Sequence, residues 1–105
     1  MTASGATLAA LAEPTRRQIL ERLRVAEASV GELADRLALS QPTTSKHLRV
    51  LRDAGLVSST TAAQRRIYRI EPEPLQALDA WLEPYRRLWT RHLDALERHL
   101  DDQED

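Results

Sequence analysis

Apolar residues recur at spacings of three and four along most of this chain, which predicts a mainly helical fold. Leu8 and Leu11 share one face of a short first helix, which ends before Pro14 because a residue preceding proline is pushed out of the helical region. Pro14 suits the first turn of a second helix. There Ile19, Leu20 and Leu23 form an apolar stripe, with Arg16, Arg17, Glu21, Arg22 and Arg24 mainly outside it. Ser29 and Glu32 have the spacing of a capping box and open a third helix, whose stripe is Val30, Leu33, Ala34 and Leu37. Ser40 caps a fourth helix with Pro42 in its first turn. This helix runs to about Ala54 and stops before Gly55, which suits a left-handed position after a helix end. Leu39 plugs the turn between the third and fourth helices, and two short helices joined so tightly make a helix-turn-helix.

After Gly55 the period changes. Leu56 to Thr61 is rich in β-branched and small polar residues, and Arg66 to Ile70 partly alternates polar with apolar, so the two segments fit a small β-hairpin. Its connection, Ala62-Ala63-Gln64-Arg65, lacks the Asn-Gly or Asp-Gly pair of a tight turn and leaves the turn type open. From Pro72 a long helix follows, with Leu75, Leu78, Leu82, Tyr85, Trp89, Leu93, Leu96 and Leu100 in a heptad-like stripe that Trp81 and Leu88 widen. Pro84 either kinks this helix or starts a new one. A kink is the better expectation, because the stripe continues across it in phase.

Length and composition limit what such a fold can be. With 105 residues, 42% hydrophobic and 30% charged, the chain fits one folded unit over residues 1–105, too small for most multi-domain enzymes. No cysteine is present, which removes disulfides, thiolate metal sites and cysteine nucleophiles together. No apolar run approaches a membrane span, and the first residues lack the basic start of a signal peptide, so a cytoplasmic protein without a membrane partner is expected. The net charge of −1 conceals a division. Residues 1–70 carry 11 Lys and Arg against 6 Asp and Glu, a net +5, whereas residues 71–105 carry 4 against 10, a net −6. Fields act over about 8 to 10 Å at ordinary salt, so the first portion can attract a polyanion although the whole chain is nearly neutral.

The fourth helix is the candidate reader of that polyanion. At about 100° per residue, Thr44, Leu48 and Leu51 cluster on one side, and Lys46 and Arg49 face away with Gln41, Thr43 and Ser45 beside them. Such side chains suit a DNA major groove: Gln bonds adenine in a bidentate way, Ser and Thr reach base edges or phosphate, and Lys or Arg pairs with guanine. His47 lies beside the core side, where it either bonds neighbouring groups or contacts phosphate. Arg65 and Arg66, with Arg69 as a further candidate, supply a basic wing for a flanking backbone or minor groove.

Two stretches, Leu11 to Leu20 (LAEPTRRQIL) and Ser40 to Val57 (SQPTTSKHLRVLRDAGLV), resemble the ArsR family of bacterial winged-helix repressors. The resemblance spans roughly residues 6–70, and the continuation through Tyr68 to Leu75 and Trp81 to Trp89 is similar to a cysteine-free branch not regarded as metal-sensing. It implies a winged helix-turn-helix with a DNA-binding core at 6–70 and a dimerisation helix at 72–100. It further implies a homodimer that pairs through the first and last helices and reads a pseudo-palindromic operator of double-stranded DNA as a repressor. The dimer residues are then Leu8, Leu11, Leu78, Trp81, Leu82, Tyr85, Trp89, Leu93 and Leu96; independently, a stripe this aromatic needs a partner. The DNA-binding residues are Gln41, Thr43, Ser45, Lys46, His47, Arg49, Arg65 and Arg66.

No metal or other cofactor is expected. Ser29 to Leu33 stands where metal-sensing members carry cysteines, and in a second known ligand arrangement the register Asp79, Trp81, His92, Ala95 offers only two ligating types. His92 and His99 lie two helical turns apart, about 10.5 Å along the axis, too far to share one ion, and read as solvated or capping residues. The tryptophans fit core and dimer packing better than a pocket for an organic effector. Two rivals remain: a metal- or ligand-responsive sensor of the same fold, and a winged-helix interaction module without DNA binding. No nucleophile-base pair or phosphate loop points to an enzyme.

Overall fold

A computed structural model describes residues 4–103. Its elements are α1 (Gly5–Leu11), α2 (Pro14–Val25), β1 (Ala28–Ser29), α3 (Val30–Leu37), α4 (Gln41–Asp53), β2 (Val57–Ala62), β3 (Arg65–Ile70) and α5 (Glu73–Gln103). Local chemistry explains most of the boundaries. The Ser4 hydroxyl accepts the Thr7 N–H, and the Glu13 carboxylate accepts the Arg16 N–H just ahead of Pro14. Ser29 and Glu32 form the expected reciprocal box, each side chain accepting the other's backbone N–H at 3.2 Å. The end of α4 is a Schellman motif: the Leu56 N–H donates to the Leu51 carbonyl and the Gly55 N–H to that of Arg52, with Gly55 at φ 76°. Leu51 and Leu56, joined by that bond, are both fully buried.

The turn between α3 and α4 closes in the same way without a glycine. Ala38 takes the left-handed position at φ 57°, and the Leu39 N–H donates to the Ala34 carbonyl at 2.9 Å. Leu39 itself is only half-buried; the core beside this turn is filled by Leu33 and Leu37 instead. Ile19, Leu20 and Leu23 of α2, Leu33 of α3, Leu48 and Leu51 of α4 and Tyr68 of β3 make one continuous core, against which Leu11, Val30 and Leu75 pack.

The hairpin differs from expectation in two respects. It belongs to a three-stranded antiparallel sheet ordered β1-β3-β2, in which Ala28 pairs with Tyr68 and Ser29 with Ile67. A two-residue strand is too short to show alternation, which is why the sequence pattern does not announce β1. The turn is also tighter than the four-residue connection: Ala62 pairs with Arg65, leaving Ala63 and Gln64 at φ 50° and 66°. Two left-handed residues give the turn whose twist matches a right-twisted hairpin, and here it forms without Asn or Gly.

Helix α5 runs unbroken through Pro84, so the proline does not start a new helix. At about 1.5 Å per residue its 31 residues extend about 46 Å, and none of them is buried. This helix accounts for a molecule 68 Å long but only 30 by 20 Å across.

Candidate nucleic-acid interface

Thr44 fixes how α4 is presented. It is fully buried, and its hydroxyl donates to the Ser40 carbonyl at 2.9 Å, turning the first helical turn inward on that side. Leu48 and Leu51 continue the inward face, as the spacing predicts. Gln41, Thr43, Ser45, Lys46 and Arg49 are consequently all exposed. Ser45, Lys46, Arg49 and Arg52 of α4 join Val30, Arg66 and Tyr68 in lining one open groove of about 340 Å³. Four cationic side chains and no carboxylate line it, and it spans the reading helix and the wing.

Arg52 lines this groove although it is not among the side chains expected there from the sequence. It follows Arg49 by three positions and Ser45 by seven, so it shares their helix face. That spacing was a sufficient signal, obscured by the position of Arg52 near the helix end.

The structure draws a distinction between the two wing arginines. Arg66 lines the groove, whereas Arg65 donates to the Ser29 hydroxyl at 2.9 Å and forms an ion pair with Glu32. The Ser29 N–H and hydroxyl, together with Arg65, hold the Glu32 carboxyl below the usual carboxylate range. Arg69 lies beside Glu71 at 3.7 Å and does not line the groove.

His47 is half-buried against α2, with Nδ1 3.5 Å from the Arg16 guanidinium and 3.9 Å from the Glu13 carboxylate. Partial desolvation opposes the charge on Glu13, but the Arg16 N–H and the neighbouring His47 still hold its carboxyl below the ordinary value. Arg16 also donates to the Ala9 and Ala10 carbonyls at the end of α1, so His47 adjoins a network that joins three helices.

Among the residues expected at a dimer contact, Leu8, Trp81, Tyr85, Trp89, Leu93 and Leu96 are exposed, and Leu11, Leu78 and Leu82 are half-buried. Leu11 packs partly on the protomer's own core. The Trp81 and Tyr85 rings, one turn apart, sit tilted with centroids 4.9 Å apart. Asp79 is paired with Arg86 at 2.8 Å, and His99 adjoins Gln103. Among the described residues no cluster of three metal-ligating side chains occurs, and no helix is long and apolar enough to cross a membrane.

Residues 13–59 match the model of the bacterial regulatory protein, arsR family. The HTH-type transcriptional regulator Rv2034 of Mycobacterium tuberculosis is 44% identical over 96 residues, covering 91% of this chain and 87% of that protein. The chain belongs to the ArsR family. This ArsR-family protein is also 32% identical to the transcriptional repressor SdpR of Bacillus subtilis, over 70% of its own length and 81% of that relative's. Among solved structures, an ArsR-like transcriptional regulator from Rhodococcus sp. superposes with a TM-score of 0.71 at 34% identity, covering 89% of this chain and 88% of the other. The fold is therefore the winged helix-turn-helix of DNA-binding transcriptional regulators, and the protein is not an enzyme. In this ArsR-family chain α3 and α4 are the helix-turn-helix and β2–β3 the wing.

Proposed function

We propose that the protein is a homodimeric, cytoplasmic transcriptional repressor that reads a pseudo-palindromic operator. The observation that carries this reading is the groove of Lys46, Arg49, Arg52 and Arg66, a carboxylate-free basic surface shared by the recognition helix and the wing. Polyanion binding draws on such a surface, because each phosphate neutralised releases counterions. Gln41, Thr43 and Ser45, on the first turns of α4, are the side chains offered to base edges, and Lys46 and Arg49 flank them. Residues 6–70 form the reading unit and 72–100 the dimerisation helix, which sets two recognition helices about one DNA turn apart. The name of the Bacillus relative supports repression.

The test begins with selection of bound sites from random DNA, followed by salt titration on the selected operator. Arg66→Ala and Arg52→Ala each weaken binding on all sequences, and each lowers the slope of log K against log salt by about one for every phosphate no longer neutralised. Gln41→Ala leaves that slope intact and relaxes preference at one base position, where a good bidentate pair is worth about 1 to 3 kcal/mol. Unchanged slopes in both arginine variants, with unchanged selectivity in the glutamine variant, overturn the assignment. Failure of the parent protein to select any sequence favours an interaction module.

A further inference from the structure

The adjacent arginines of the wing have different surroundings, and this difference points to different tasks. Both arginines border the cleft beside Ser29 and Glu32, but successive residues of a strand face opposite sides of its sheet, and only Arg66 also lines the basic groove. Arg66 lies in the basic groove and has no ion-pair partner among the described residues. Arg65 is drawn to the start of α3, where its guanidinium bonds both members of the capping box, Ser29 and Glu32. The last β1–β3 pair is Ser29 with Ile67, so this contact extends the tie between wing and body two residues further toward the tip.

We propose that Arg65 is a positioning residue. Held by Ser29 and Glu32, it locks the wing to the N-terminus of α3 and sets the distance of Arg66 from the recognition helix. Glu32 accordingly has two roles, as the cap of the first helix of the helix-turn-helix and as the anchor of the wing. The wing is thus tied to the start of α3, the helix whose other end leads through the Ala38–Leu39 turn into the recognition helix, so the contact couples the position of the wing to the helix-turn-helix. The proposal rests on the DNA-reading role of the groove.

The full chain and its selected operator provide the test, with Arg66→Ala as reference. Glu32→Gln preserves the cap, since Gln serves at that position, and removes the ion pair. Arg65→Ala is expected to weaken operator binding several-fold at an unchanged salt slope. Glu32→Gln reproduces that weakening, the double variant is no weaker than either single one, and Arg65→Lys recovers part of the affinity. A nitroxide on Thr61→Cys, free of competing thiols in a chain without cysteine, gains mobility in the unbound protein when either partner is replaced. A slope lowered by about one per protomer in Arg65→Ala, with tighter binding by Glu32→Gln, makes Arg65 a phosphate ligand restrained by Glu32 and overturns the proposal. Unchanged label mobility in both variants overturns it as well. If Arg66→Ala also leaves the slope unchanged, the DNA-reading role of the groove is what fails, and the label still reports whether the wing is tied.

Discussion

Trp89→Glu is expected to yield a folded protomer that no longer pairs and binds its operator at least about 100-fold more weakly. The ring is 56% exposed in the protomer, so replacing it removes little from the protomer's own core. Its neighbours are the ground for placing it in the proposed dimer contact. Trp81, Tyr85, Leu88, Leu93, Leu96 and Leu100 are likewise exposed along α5, an apolar surface that a monomer rarely leaves in water. An aromatic side chain buries about 150 to 250 Å², of which a partner can cover only the 56% still exposed here, worth roughly 2 to 3.5 kcal/mol at 25 cal/mol per Å², and a two-fold interface counts each substitution twice. A buried carboxylate without a partner adds a further penalty. Loss of the second recognition helix then removes the gain of linked binding, which reaches about 10² to 10⁴. Sedimentation at micromolar concentration reads the mass, circular dichroism the fold and titration the affinity. A variant that stays dimeric with full affinity places the dimer contact elsewhere.

What the residues disclosed in advance was mostly what a single side chain or a fixed spacing enforces. The Ser29–Glu32 box, the Ser40 cap, the left-handed Gly55 and the inward Thr44-Leu48-Leu51 face each follow from one local rule, and each stands in the structure. The features that were not legible depend on partners distant in sequence. Ala28 and Ser29 become a strand only because Tyr68 and Ile67 pass beside them. Ala38, Ala63 and Gln64 take left-handed conformations with no residue type to announce it, because the turns around them are closed by tertiary packing and strand pairing. The reading surface divides in the same way. The exposure of Gln41, Lys46 and Arg49 follows from helical period alone. The sorting of Arg65 toward Glu32 and Arg66 toward the groove depends on where α3 lies against the sheet. For His47 the sequence left open a bonded or a phosphate-facing histidine, and it adjoins Glu13 and Arg16 because α2 and α4 pack together, 31 residues apart at the Arg16 contact.

Leu48→Ala is expected to cost about 3 kcal/mol, within the 2 to 5 typical of Leu-to-Ala changes in a core. Leu48 is fully buried on α4 within the same cluster as Ile19 of α2, Leu33 of α3, Leu51 and Leu56, so the missing atoms leave a cavity in the core that α4 shares with α2 and α3. Against a total of about 5 to 15 kcal/mol this removes a large share of the stability, and at about 4 to 8 °C per kcal/mol it lowers Tm by roughly 12 to 24 °C. Val50→Ala, two residues away on the same helix but 40% exposed, is the control and changes Tm by a few degrees. Operator binding supplies the second readout. Well below the lowered Tm, Leu48→Ala keeps the salt slope of the parent, because Lys46, Arg49, Arg52 and Arg66 are all retained, whereas Arg52→Ala keeps the Tm and lowers the slope. The two residues lie four positions apart on one helix, and their opposite responses would separate what holds α4 in place from what it presents. A Leu48→Ala variant with unchanged Tm would mean that α4 is not seated in this core, and the orientation of the whole reading face would have to be drawn again.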